Sequence, residues 1–344
     1  MPLYDAVRDL PLRIDEAATE VATLQISSEF TRKTTTVRLE GGGFDGRGED
    51  VTYDADEHAP DHFPELEVAG EWTLGSFSQL LDGADLFPAG PPSQAAYRDY
   101  RRWAFESAAL DLALRQSGQS LGEALQREYR PVRFVCSTRA TSLDPWLALY
   151  PDLRFKLDPT PDWSDDFIAS LVARDCVDTI DFKGQYRGTV VDNPPNPGLY
   201  ARMAEAFPRA WIEDPALTPE TEPVLMPHHD RITWDAPIHS WLDVEALDFP
   251  PNCLNSKPSR FGSVSRLFEF YDHCAERGIA LYGGGQFELG VGRGQIQLLA
   301  SLFHPAGPND VAPGGYNAPE PKPGLETSPL DPQAEQIGFR RSQS

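Results

Sequence analysis

Six short apolar runs in this chain each end in a residue able to bind charge or move a proton. They close at Lys156 (Leu153-Arg154-Phe155-Lys156), Asp181 (Thr179-Ile180-Asp181), Glu213 (Trp211-Ile212-Glu213), Asp235 (Ile232-Thr233-Trp234-Asp235), Lys257 (Leu254-Asn255-Ser256-Lys257) and Glu288 (Gly284-Gly285-Gln286-Phe287-Glu288). Asp214-Pro215 stops the third run, because proline fixes φ and has no N–H for a sheet ladder. The steps from each such residue to the next are 25, 32, 22, 22 and 31 residues, each the length of one strand plus one crossover helix. In a barrel of βα units the C-terminal strand ends open on one mouth. The spacing therefore predicts acids and lysines facing a single cavity.

Lysine usage points the same way. Of 30 Lys+Arg only five are lysines: Lys33, Lys156, Lys183, Lys257 and Lys322. Three of the five fall at or beside predicted strand ends, although arginine is the default surface cation. A single lysine after a strand is ordinarily a solvated loop charge; three set among acids at crossover spacing read as a site.

The elements that must position these residues begin near residue 131, where strand and helix alternate strictly. Val132 to Cys136 and Leu153 to Lys156 read as strands. Ser164 caps a helix carrying Phe167, Ile168, Leu171 and Val172, and a helix with Leu199, Met203 and Phe207 leads to Glu213. Thr218-Pro219 opens a short helix, and Ser240 to Leu247 forms another. Ser263 to Arg277 is a long amphipathic helix closed by Gly278. Ile279 to Tyr282 then passes through Gly283-Gly284-Gly285 to Glu288, and Gln295 to Phe303 is the last helix. Such units close into a parallel barrel.

The first 130 residues follow another pattern. Thr34 to Leu39 and Gly46 to Tyr53 pair as a hairpin around Gly41-Gly42-Gly43. Residues 97 to 117 form a helix with Gly118 at its C-terminal cap, and Ser120 with Glu123 makes a capping box for a second. This is an α+β unit. His58 and His62, four apart in or beside the acidic run Asp54 to Asp61, read as plain loop residues rather than metal ligands. Pro305 to Ser344, rich in Pro and Gly, reads as extended chain wrapping the surface and then a disordered end.

A chain of 344 residues can hold one large barrel with a small attached domain. Its formal charge of −23 argues against nucleic acid or an anionic membrane as partner, since both need a basic surface. Cys136, Cys176, Cys253 and Cys274 form no Cys-x-x-Cys, so buried, reduced thiols are expected. With no leader-like N-terminus and no apolar run of membrane-spanning length, the expected location is cytoplasmic. A homo-oligomer is left open.

The order of these residues resembles the enolase superfamily, and within it the muconate lactonizing enzyme subgroup, which also contains o-succinylbenzoate synthases and N-acylamino acid racemases. The resemblance runs from the Gly41 to Glu49 hairpin through Trp103 to Leu125 and into the barrel. It implies an α/β fold: a modified (β/α)7β TIM-type barrel over residues 131–312, with an α+β capping domain from residues 1–130 and the returning tail 313–344. It makes Asp181, Glu213 and Asp235 ligands of Mg2+ or another divalent cation. Lys156 matches the second lysine of the family's Lys-x-Lys, with Arg154 in place of the first. Lys257, in Asn255-Ser256-Lys257-Pro258-Ser259-Arg260-Phe261-Gly262, matches the opposing lysine, and Glu288 the acid after the seventh strand. Two positions depart from the pattern. Lys183 stands in Asp181-Phe182-Lys183-Gly184 where the family usually has Asp-x-Asn, and Ala236 follows Asp235 where an acid is common.

The implied activity is that of a lyase or isomerase abstracting the α-proton of a small carboxylate substrate: a racemase, cycloisomerase or dehydratase. A divalent ion would hold the carboxylate oxygens while a lysine takes the proton. Lys183, pointing the same way as Asp181, would compete with the metal and weaken it. The alternative is a metal-free barrel that binds a carboxylate metabolite without turnover, and a weaker one is a Schiff-base aldolase. Specificity is expected in the loops Ile26 to Lys33, Asp54 to His62 and Gly314 to Tyr316.

Overall fold

Glycines at two alternate positions set the first packing contact of the chain. A Cβ on Gly46 would lie 2.2 Å from the Ala108 carbonyl oxygen, and one on Gly48 would lie 2.1 Å from that of Ala104. Only a bare backbone lets the helix Tyr97–Gln116 rest directly on this strand. The computed structural model in which this is seen describes residues 1–26, 30–139, 142–186, 191–318 and 320–342. Strands β1 (Pro11–Ile14), β2 (Glu16–Gln25), β3 (Thr31–Gly41), β4 (Phe44–Asp50) and β5 (Gly70–Thr73) make up the N-terminal sheets. β2, β3 and β4 are antiparallel neighbours, with Thr19 opposite Val37 and Val37 opposite Gly48, and β1 pairs with β5.

Seven further strands form one parallel sheet: β6 (Cys136–Thr138), β7 (Phe155–Leu157), β8 (Val177–Asp181), β9 (Trp211–Glu213), β10 (Ile232–Trp234), β11 (Cys253–Ser256) and β12 (Ala280–Gly283). They neighbour one another in sequence order from β6 to β12, which is the curl of a TIM-type barrel. The gap between first and last is bridged by Asn309 and Asp310, paired in parallel with Phe134 and Gly284 respectively. Asn309, fully buried, accepts from the Gly283 N–H (2.6 Å) and donates to the carbonyls of Arg133, His304 and Gly307. The tail is thus the piece that closes the ring. It continues as packed chain rather than as a disordered end, with Leu330 and Phe339 buried and Gly338 bridged to Ser120; residues 343 and 344 lie outside the described residues.

Several boundaries differ from the sequence expectations. The first barrel strand starts at Cys136, since Val132 and Phe134 make only single bridges to the tail. The helix expected from Thr218-Pro219 starts at Glu222, because the Thr218 and Thr221 side chains turn the chain first. The last helix runs over Val291–Phe303, four residues longer at its start than expected. Its early start has an external cause: the Glu49 carboxylate accepts the N–H groups of Leu289, Gly290 and Gly292 (2.7, 2.9 and 2.8 Å). A carboxylate from β4 therefore caps a barrel helix and ties the two layers together.

The loops expected to set specificity are partly structural. Residues 27–29 lie outside the described residues. Arg32 is fully buried and donates to the carbonyls of Val51, Thr52, Gln286 and Phe287. His58 is not a plain loop residue. It is buried between the Thr35 hydroxyl (2.8 Å) and the Thr52 carbonyl (2.9 Å), whereas His62 stays half-exposed beside Glu57. Tyr316 packs among Phe134, Trp146 and Tyr150. All four cysteines are buried and free, and no helix among the described residues is long and apolar enough to cross a membrane.

His304 gives the barrel closure a pH dependence. Its Nδ1–H donates to Asn309 Oδ1 (2.7 Å), and burial pushes the imidazole down to about 4 from its ordinary 6.5. The unfolded chain takes up this proton below 6.5 while the folded chain resists it until about 4. Folding stability is therefore intact above pH 6.5 and falls as pH drops through that window, by about 3 kcal/mol in all. Urea unfolding at pH 7.5 and 4.5 should show a His304→Gln variant losing clearly less stability between the two than the parent. Equal losses would mean His304 is not the group responsible.

Candidate active site

Each predicted strand end delivers its side chain through the two-residue alternation of the strand. Lys156 lies in the middle of β7, Asp181 and Glu213 are the last residues of β8 and β9, and Asp235 and Lys257 come just after β10 and β11. All five are at most 7% exposed. The Lys156 ammonium donates to Glu213 Oε1 and lies 3.0 Å from Asp181 Oδ2. Lys257 Nζ is 2.8 Å from Asp235 Oδ2, and the Arg260 guanidinium is 3.0 Å from Asp235 Oδ1. Tyr186 Oη donates to Asp235 Oδ2 (3.0 Å) and accepts from Arg260 Nη2 (2.9 Å). The Tyr282 hydroxyl donates to Glu213 Oε2, fixing the carboxylate from its other side.

The tightest group of acids is Asp181, Glu213 and Asp214, each offering an oxygen within 4.8 Å of the others. Asp214 takes this place instead of Asp235 because its backbone turns left-handed (φ 48°) right after β9. Its two oxygens accept the N–H groups of Asp235 and Ala236, both at 2.8 Å. Lys183 (φ 55°) and Phe287 (φ 60°) show the same backbone turn after β8 and β12. Such strain, of about 1–3 kcal/mol each, persists where surrounding structure enforces it, and it gathers at functional sites.

The electrostatics divide the acids into two kinds. Burial pushes the Glu213 carboxyl up to about 8, with Lys156 pulling against it and Asp181, Asp235 and Asp214 adding to it. Burial and the nearby Asp235 and Asp181 push Asp214 up to about 7, against its two backbone hydrogen bonds. Burial opposes the charge on Asp181 as well, but Lys156 and Lys183 hold that carboxyl below the usual range; Arg260, Lys257 and Lys156 do so for Asp235. Glu213 and Asp214 therefore hold their protons into the neutral range, because burial among other acids outweighs the pull of the lysines, and a divalent ion would have to displace those protons. Hard oxygen donors, close together, buried and short of positive charge, fit a divalent cation.

A lysine acts as a base only where its surroundings lower its pKa. Here burial alone would do so, but the adjoining carboxylates win, and Lys156, Lys183 and Lys257 are all raised. Lys183 donates its ammonium to Asp181 Oδ2. Two positions lie away from the cluster. Arg154 turns to the other end of β7, where it binds Asp178 and the Asp175 carbonyl. Glu288 sits five residues past β12, accepting from the Gln286 N–H (2.6 Å) and pairing with Arg293 (3.1 Å). Sequence reasoning missed Asp214, Arg260, Tyr186 and Tyr282. Asp214 adjoins Glu213 and Arg260 follows Lys257 by three residues, which was the available signal; the two tyrosines gave none.

Comparisons with known proteins add to this geometry. The family model described as "Domain of unknown function (DUF8230) C-terminal domain" matches residues 128–318, and the corresponding N-terminal domain model matches residues 5–124. An o-succinylbenzoate synthase of Geobacillus kaustophilus is 34% identical over 87 residues, which are 25% of this chain and 23% of that protein. The chain thus matches about a quarter of that relative's length. Among solved structures, a dipeptide epimerase from Methylococcus capsulatus complexed with Mg ion superposes with TM-score 0.70 at 15% identity, covering 96% of this chain and 99% of the other. A member of the enolase superfamily from Listeria innocua gives 0.62 at 18%, covering 88% and 86%.

Proposed function

This chain belongs to the DUF8230 family and has the enolase-superfamily fold, and from that premise we propose that its barrel mouth is the site of a divalent-metal-dependent lyase or isomerase that removes the α-proton of a small carboxylate. The observation that carries this reading is the buried Asp181, Glu213 and Asp214 cluster with Lys257 just past β11 and Arg260 on the short helix Pro258–Phe261 that follows. Removing a proton beside a carboxylate creates a second negative charge on it, and a bound divalent ion supplies the compensating charge.

The residues then divide the work. Asp181 and Glu213, with Asp214 or Asp235, would hold the ion, and Tyr282 orients Glu213. Lys257 moves the substrate proton. Its ammonium is now bound to Asp235; once the acids' charge is taken up, Arg260 beside it favours the neutral amine that a base must present. Lys156 lies deeper, and its contacts with Glu213 and Asp181 suit it to neutralising charge and to proton transfer from the opposite face.

The contact of Lys183 with Asp181 favours a second reading, a metal-free barrel that binds a carboxylate without turnover. Metal retained after extensive dialysis would separate the two. The direct test is deuterium wash-in over a panel of carboxylic acids with Mg2+ present. At least one acid should exchange its α-proton, whatever the overall reaction; a broad panel with no exchange would remove the proposal.

A further inference from the structure

Lys183 stands between two carboxylates and is bonded to only one. Its backbone N–H donates to Asp181 Oδ1 (3.0 Å) and its ammonium to Asp181 Oδ2, so it encloses one acid of the tight cluster. The same ammonium is 3.8 Å from Asp158 Oδ1. Asp158 lies two residues beyond Lys156, just past the end of β7. Arg139 holds its other oxygen (2.9 Å), while Oδ1, buried, has no hydrogen-bond partner among the described residues. An unsatisfied buried carboxylate oxygen is costly, and here it is aimed at a cation it does not reach.

We propose that Lys183 is a displaceable occupant of the cation site and that Asp158 is its second berth. In the metal-free protein the ammonium rests on Asp181. When a divalent ion takes the Asp181 oxygens, the ammonium moves about 1 Å toward Asp158 and closes the long contact to hydrogen-bond length. Lys183 is suited to this where Lys156 is not. Its side chain is 15% exposed against 1% for Lys156, and it bonds one carboxylate where Lys156 spans two. The Tyr186 ring, 5.4 Å from the ammonium, borders its range. The exchange keeps the ammonium paired with a carboxylate whether or not metal is present, and it makes metal affinity depend on a residue that does not touch the metal.

This inference rests on the divalent-metal reading, and the test separates the two. Mn2+ affinity would be measured by calorimetry for the parent, Lys183→Asn, Asp158→Asn and the double variant. Asparagine accepts the left-handed backbone at 183, and Asp158→Asn keeps the shape that faces Arg139. The expected results are binding at least about tenfold tighter in Lys183→Asn, and threefold to tenfold weaker in Asp158→Asn, as one partly buried ion pair is lost. In the Lys183→Asn background the Asp158 substitution should matter clearly less. A crystal structure with Mn2+ should place Lys183 Nζ on Asp158, and a chelator-treated one should place it on Asp181. Equal effects of Asp158→Asn in both backgrounds, or Lys183 still on Asp181 with Mn2+ bound, would overturn the berth and leave the metal site standing. Failure of every variant, Lys183→Asn included, to bind Mn2+ would overturn the metal reading and this inference with it.

Discussion

Lys257→Ala lowers α-proton exchange by a factor on the order of 10²–10⁴, the contribution of a positioned general base, while the protein stays folded. The structure gives the reason for both halves. Lys257 Nζ contacts Asp235 at 2.8 Å, and deleting it leaves Asp235 held by Arg260 (3.0 Å) and Tyr186 (3.0 Å). The buried carboxylate therefore keeps its neutralising partners, and the loss is chemical rather than structural. Lys257→Arg sharpens the test. It keeps the positive charge but carries a group that does not give up its proton near neutral pH, so it too should lose exchange. Full exchange by Lys257→Ala, measured by proton NMR in D2O, would transfer the proton to another residue.

The second large effect is on stability. Lys156→Met removes the ammonium that touches both Glu213 and Asp181 in a place that is 1% exposed. Breaking a buried ion pair from one side costs about 3–5 kcal/mol when the remaining charge has no other partner; here Lys183 still holds Asp181 and Glu213, pushed up to about 8, keeps its proton, so the loss falls at the low end, about 3 kcal/mol. Urea unfolding should show that loss at pH 7.5 without divalent ions. Saturating Mg2+ should restore part of it, about 2.7 kcal/mol at a hundred times the dissociation constant, since the ion supplies the positive charge that the variant lacks. A loss under about 1 kcal/mol would mean that the acids relax by protonation and that Lys156 is not what neutralises them.

The order of the barrel was legible because its signals are local. An apolar run, a stop at its end and a crossover of fixed length suffice to place Lys156, Asp181, Glu213, Asp235 and Lys257 around one mouth. Closure of the ring was not legible. Asn309 and Asp310 contribute two residues with no periodicity, inside a stretch whose Pro and Gly content reads as loose tail. The choice between Asp214 and Asp235 in the tight cluster depends on a left-handed backbone at an aspartate, which residue type does not reveal. Glu288 was misplaced in register. The Gly283-Gly284-Gly285 turn ends the strand earlier than the apolar run suggests, and Glu288 is drawn to Arg293 on the following helix. The upward shift of the lysine pKa values could not be read from sequence either, since it depends on which carboxylates end up within about 3 Å.

What joins the acid cluster to Lys257 in one account is proton exchange that requires metal. The most direct measurement takes a carboxylic acid that exchanges, strips the protein with chelator, and follows the α-proton signal in D2O before and after Mg2+ is returned. The account predicts no exchange in the stripped protein, exchange on reloading, and none on reloading a Glu213→Gln variant. Exchange that persists at full rate without divalent metal would contradict it.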